Sequence, residues 1–93
     1  MQTAHQAQHS ERLNRIRYRS WHRGCKETDI ILGNYCNHFI EKMDEPALDL
    51  FEAMLDEDDA DIWAWLTDKY DCPNPAYSEM LEQLRNFRSY TPL

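Results

Sequence analysis

The sequence contains no valine, and its β-branched apolar residues Ile16, Ile30, Ile31, Ile40 and Ile62 fall in windows where apolar side chains recur every three or four positions. Strands favour β-branched and aromatic residues in alternation, whereas an apolar stripe at the longer spacing belongs to one face of a helix. The chain is therefore confined to helices. Two glycines, four prolines and abundant Leu, Met, Glu, Gln and Arg favour the same class.

Residues 1–9, rich in Gln and His, offer little to bury and are expected to be disordered. Ser10 followed by Glu11 suits a helix start, because a hydroxyl caps an orphan amide and a carboxylate suits the positive end of the dipole. This first helix is expected to reach His22 or Arg23, with Gly24 just beyond it in a left-handed turn. A second helix, beginning around Lys26 to Asp29, carries the stripe Leu32, Tyr35, Cys36, Phe39, Ile40 and Met43. Gly33 inside it predicts that another helix passes close by.

Asp44-Glu45-Pro46 is a stop and restart, since proline is tolerated only in a first turn. The third helix then shows Ala47, Leu48, Phe51, Met54 and Leu55, and the acidic run Asp56 to Asp59 closes it. Asp59 is expected to cap a fourth helix carrying Ile62, Trp63, Trp65, Leu66 and Tyr70. Asn74 and Pro75 open a fifth with Tyr77, Met80, Leu81 and Leu84. Residues 88–93 lack periodicity and are expected to fray. The prediction is an all-α, five-helix bundle, one domain over residues 10–87.

Ninety-three residues bury only roughly two thirds of the unfolded surface, which leaves little volume for an internal active site and favours a function carried on the surface. The formal charge of −7 is unevenly placed. Six Arg or Lys stand in residues 1–26 against the single acid Glu11, and fourteen acids stand in residues 27–72 against Lys42 and Lys69. Three cysteines without a CxxC pair do not make a disulfide framework and suit a reducing compartment. No run approaches the roughly 18 apolar residues of a membrane span, and the start lacks the apolar segment of a secretory signal. Arg12 to Arg23 shares the arginine-rich, acid-poor character of an organellar presequence, but Leu13, Ile16 and Trp21 within it look structural.

Several chemistries fail on spacing. The run Asp56 to Asp61 puts Ala60 at a calcium-ligand position when counted from Asp56, and Ile62 at the required glycine when counted from Glu57. His22, Cys25, Cys36, His38 and Cys72 match no compact zinc pattern, and Cys36 lies on the apolar stripe. Nothing supplies a cleft for Cys25 as a nucleophile. The basic stretch with Tyr18 and Trp21 locally resembles a nucleic-acid-binding helix, but the fourteen acids would repel phosphate unless segregated to the far side; the plainer alternative is a solvated helix paired with acidic neighbours, and a third is an arginine surface that grips carboxylates on a protein partner. Trp63 and Trp65 cannot share one helix face, so Trp63 either wedges at the core edge or faces a partner.

The remaining constellation is Arg23-Gly24-Cys25-Lys26-Glu27, in which opposite charges flank a glycine turn. With Asp29, Ile31-Leu32-Gly33, Phe51-Glu52-Ala53-Met54-Leu55 and Asp59-Ala60-Asp61-Ile62-Trp63-Ala64-Trp65-Leu66 in order, the chain from about Leu13 to Phe87 resembles the succinate dehydrogenase flavinylation factors, whose signature is Arg-Gly-x-x-Glu. That resemblance implies a non-enzymatic assembly factor, and a monomer. It would dock on the flavoprotein subunit of succinate dehydrogenase, or of fumarate reductase, and promote covalent FAD attachment there.

By the same resemblance Arg23 and Glu27 would make the polar contacts and Gly24 would allow close approach, with Arg19, His22, Lys26, Asp29 and Trp63 completing the partner-binding set. FAD would be carried by the partner, since no phosphate-binding glycine loop is present. Neither a metal, nor nucleic acid, nor membrane insertion is expected. The location would be the bacterial cytoplasm, or the mitochondrial matrix in a eukaryote. An antitoxin-like regulatory binding protein is the alternative.

Overall fold

The computed structural model describes residues 4–89, folded as five α-helices and two 3-10 turns with no strand among them. The helices are α1 (Ala4–Trp21), α2 (Lys26–Phe39), α3 (Glu45–Leu55), α4 (Asp59–Leu66) and α5 (Ser78–Ser89). The start expected at Ser10 moves to Ala4, because Ala4, Gln6, Ala7 and Gln8 are sound helix formers and nothing between them and Ser10 breaks the helix. Residues 1–3 and 90–93, parts of the termini expected to be disordered or to fray, lie outside the described residues, and α5 itself runs on to Ser89.

Local chemistry sets most boundaries. The Asp44 carboxylate accepts the Ala47 amide at 3.0 Å and Pro46 sits in the first turn of α3, as the stop-and-restart reading requires. Asn74 accepts from Ala76 at 3.0 Å, and Pro75 opens the 3-10 turn Pro75–Tyr77 that feeds α5. α2 stops at Phe39 and its stripe continues through the 3-10 turn Ile40–Lys42, which keeps Ile40 buried.

Two expectations about α4 are corrected. Its N-cap is Asp58, with Asp59 already in the first turn. The helix ends at Leu66, so Tyr70 is not part of it. Asp68 takes φ 58, Lys69 N–H reaches Ala64 O at 2.9 Å and Asp68 N–H reaches Trp65 O at 3.4 Å, a left-handed termination made without glycine. Tyr70 is left about half exposed, its hydroxyl donating to Asp61 at 3.0 Å.

The core is one cluster to which every helix contributes. Ile16, Leu32, Cys36, Leu48, Phe51, Met54, Ile62, Leu66 and Leu84 are fully buried within it. Cys36 is thus a core residue, and burial pushes its thiol pKa up. Gly33 is explained by α1. A methyl built on it would sit inside the Trp21 indole, so α1 and α2 approach with the Trp21 ring lying flat against glycine.

Candidate partner-binding site

The corner joining α1 to α2 is built from residues 22–25. Gly24 has φ +100, a conformation that L side chains rarely adopt, yet a Cβ there would meet nothing within 4 Å. The glycine is required by the turn, and the space around it is open. The Asp29 carboxylate accepts the Arg23 backbone N–H at 2.8 Å, tying the turn to the first turns of α2.

The Arg23 side chain points into the protein. Its Nε donates to Asp59 Oδ1 at 2.6 Å, Nη1 donates to the Leu55 carbonyl and Nη2 to the Glu57 carbonyl, and only 10% of the side chain is exposed. A guanidinium at the C-terminal end of α3 satisfies carbonyls that have no helical partner and sits at the negative end of the dipole. The same group holds the first turn of α4 through Asp59. Arg23 is therefore a brace joining the corner, the end of α3 and the start of α4.

Other basic residues of α1 follow the same course. Arg12 Nη1 and Nη2 reach Glu45 and Asp49 at 2.6 Å each, Nε donates to Glu52, and these partners raise the pKa of the guanidinium. Arg19 Nη2 pairs with Asp56 at 2.5 Å. Arg12 and Arg19 share one face of α1 and Arg23 follows just past its end, so a basic ladder lies against an acidic one running from Glu45 to Asp59. Arg17 likewise meets Glu41, so Arg12, Arg17, Arg19 and Arg23 all have acidic partners within the fold, as the paired-helix alternative expects.

Facing outward are Arg15 and Tyr18 on α1 and His22 just past its end, at a spacing of three and four, followed by Gly24, Lys26 and Glu27. Tyr18 is 66% exposed, the largest exposure of any large hydrophobic residue described, and its ring packs on His22 with centroids 4.4 Å apart. Tyr18, Arg19, His22 and Arg23 line an open hollow of about 230 Å3. Glu27 is exposed in the first turn of α2, with Cys25 Sγ 3.5 Å from its Oε2. Trp63 is half-buried and packs against the core cluster, while Trp65 is buried beside Tyr77.

Of the residues singled out in the sequence, the corner thus gathers Arg19, His22, Arg23, Gly24, Lys26, Glu27 and Asp29. Trp63 stands on α4, whose first turn Arg23 holds. Sequence reasoning missed Arg15 and Tyr18 as outward neighbours of the corner, although their spacing from His22 carries that signal.

A family described as flavinator of succinate dehydrogenase matches residues 14–88. The chain belongs to that family. The match spans the later turns of α1, all of α2–α4 and α5 up to its last residue, so the matched region includes the corner and its brace. Similar curated proteins named succinate dehydrogenase assembly factor 2, mitochondrial, occur in Arabidopsis thaliana, 34% identical over 77 residues, covering 77% of this chain and 41% of that protein. The Saccharomyces cerevisiae protein of that name is 36% identical over 77 residues, covering 78% and 48%. The Schizosaccharomyces pombe protein is 31% identical over 84 residues, covering 85% and 60%. The chain spans about half the length of the curated relatives it matches. No solved structure matches it.

Proposed function

We propose that this flavinator-family chain is a non-enzymatic assembly factor that binds the flavoprotein subunit of succinate dehydrogenase and promotes covalent attachment of FAD to it. The observation that carries this reading is the braced corner. Arg23 fixes the geometry from inside, and Gly24, Glu27, Lys26 and His22 are exposed on a turn that does not have to reorganise on docking.

On this reading FAD is carried by the partner. What supports this is that Gly33, one of the two glycines, lies under Trp21 and Gly24 stands alone in a turn, so the chain has no glycine-rich phosphate loop. On this reading the flavin and its acceptor histidine both belong to the partner, where the bond forms. The factor acts by differential binding, favouring the partner conformation in which the two approach. It works as a monomer where that subunit is assembled, in the bacterial cytoplasm or the mitochondrial matrix.

Deleting the gene is expected to lower covalent flavin on the dehydrogenase subunit, read as in-gel flavin fluorescence. Undiminished fluorescence in a strain with no second factor refutes the reading. The immobilised chain is expected to capture the flavoprotein subunit from lysate as its main ligand.

A further inference from the structure

The hollow on α1 is lined by Tyr18, Arg19, His22 and Arg23, with no carboxylate in its wall. Arg19 donates one N–H to Asp56 and has no other partner among the described residues, out of five guanidinium N–H groups. Arg23 donates three and keeps two. The stacked Tyr18 and His22 rings and the two arginines make up the whole of that wall. At about 230 Å3 the hollow falls below the roughly 300 Å3 at which small-molecule sites begin, so it suits a side chain rather than a cofactor.

We infer that this hollow is a socket for one acidic side chain of the protein partner, seated between the Arg19 fork and the Tyr18–His22 stack. The inference rests on the proposed function in taking the partner to be the flavoprotein subunit. Planar, bidentate donation is what a guanidinium offers a carboxylate. A chain of net charge −7 repels a polyanion far more than it repels one Asp or Glu. The hollow is continuous with the corner through Arg23, so a seated carboxylate would fix the partner's register against Gly24 and Glu27.

The test compares Arg19→Gln, Arg19→Lys and Asp56→Asn for affinity to the purified flavoprotein subunit, with unfolding curves on each variant. Arg19→Gln is expected to raise Kd about tenfold and Arg19→Lys by less, as for loss of a charged fork at an interface. Asp56→Asn frees the guanidinium and is expected to leave Kd unchanged or lower it. If Arg19 only supports the fold through Asp56, the Gln and Asn variants weaken binding equally, and the socket is overturned. It is overturned as well if Arg19→Gln changes Kd by less than about twofold.

A second arm needs no partner. N-acetyl-aspartate amide titrated into the labelled chain is expected to shift resonances of Tyr18, Arg19 and His22 saturably, and inorganic phosphate at equal ionic strength is expected to shift them less. No saturable shift, or an equal response to phosphate, overturns the socket. A chain that fails to bind the subunit yet shows the aspartate response overturns the proposed function and leaves the socket standing.

Discussion

Replacing Arg23 by alanine separates a structural brace from a surface contact. Three donated hydrogen bonds are lost at once, to the Asp59 carboxylate and to the Leu55 and Glu57 carbonyls, from a side chain only 10% exposed. A hydrogen bond involving a charged group contributes roughly 1.5–3 kcal/mol net, and losses within one network do not add. Asp59 keeps 26% exposure and would be partly rehydrated, which holds the cost below the 3–5 kcal/mol of breaking a fully buried pair. The expected destabilisation is about 2–4 kcal/mol, from a total of roughly 5–15 kcal/mol for such a domain. At about 4–8 °C per kcal/mol, Tm should fall by about 8–32 °C. Urea unfolding followed by circular dichroism should show a lower midpoint at unchanged slope. Arg23→Lys keeps the charge, but one ammonium cannot span the three acceptors, so it should recover only part of the loss. If Arg23→Ala unfolds within about 0.5 kcal/mol of the wild type, as a surface substitution would, the brace is refuted.

Gly33→Ala should destabilise despite the roughly 0.5–1 kcal/mol gained in helix propensity, because overpacking against the Trp21 ring costs about 1–3 kcal/mol; a stabilised variant in urea would contradict that packing. Gly24→Ala should cost about 1–2 kcal/mol from φ +100 alone, with no clash, leaving a cooperatively folded chain by thermal melt; loss of the transition would place the glycine in a tighter environment. Tyr35 is 3% exposed, donates to Gln83 at 2.8 Å, and burial, followed by the charge of Glu79, pushes its pKa from 10.0 up to about 12. The neutral phenol is favoured in the fold, so this contribution, about 3 kcal/mol for two pKa units, is complete below pH 10 and disappears between about pH 10 and 12. Phenolate absorbance and the urea midpoint should show a larger loss in wild type than in Tyr35→Phe, where Tyr77, its pKa also raised by burial, remains; equal losses in the two would remove Tyr35 as the cause.

The elements legible in the sequence are those set by neighbouring residues. Asp44 and Pro46 fix the start of α3, Asn74 and Pro75 the approach to α5, and the Leu32 to Ile40 stripe the buried face of α2, each through chemistry within four residues. The end of α4 is not legible, because the left-handed residue is Asp68, an uncommon non-glycine solution that propensity does not mark. The direction of Arg23 escapes sequence reasoning for a different reason. Its partners lie 32 to 36 positions away, so nothing local tells a guanidinium turned toward Asp59 from one turned toward solvent. Arg12 and Arg19 show the intermediate case, in which the uneven charge distribution indicates pairing with acids but not which acids. Gly33 was legible as a close approach, though not as a ring lying flat on the backbone.

The inward turn of Arg23 changes what the Arg-Gly-x-x-Glu pattern does physically. Two oppositely charged side chains on an exposed turn would each have to be ordered by a partner, at roughly 0.5–1.5 kcal/mol per immobilised side chain. Here one of the two charges is immobilised before any encounter, held by α3 and α4, and the glycine beside it has a conformation set by the backbone rather than by docking. The arginine therefore acts on the corner's shape and the glutamate on its outward charge. It follows that substitutions of Arg23 and Glu27 should differ in kind. An Arg23 variant should lower fold stability and affinity together, whereas a Glu27 variant, exposed and paired among the described residues only with Cys25, should alter affinity at constant Tm. The ratio of the two effects, measured on the same pair of variants, reports how much of the pattern is scaffold and how much is contact.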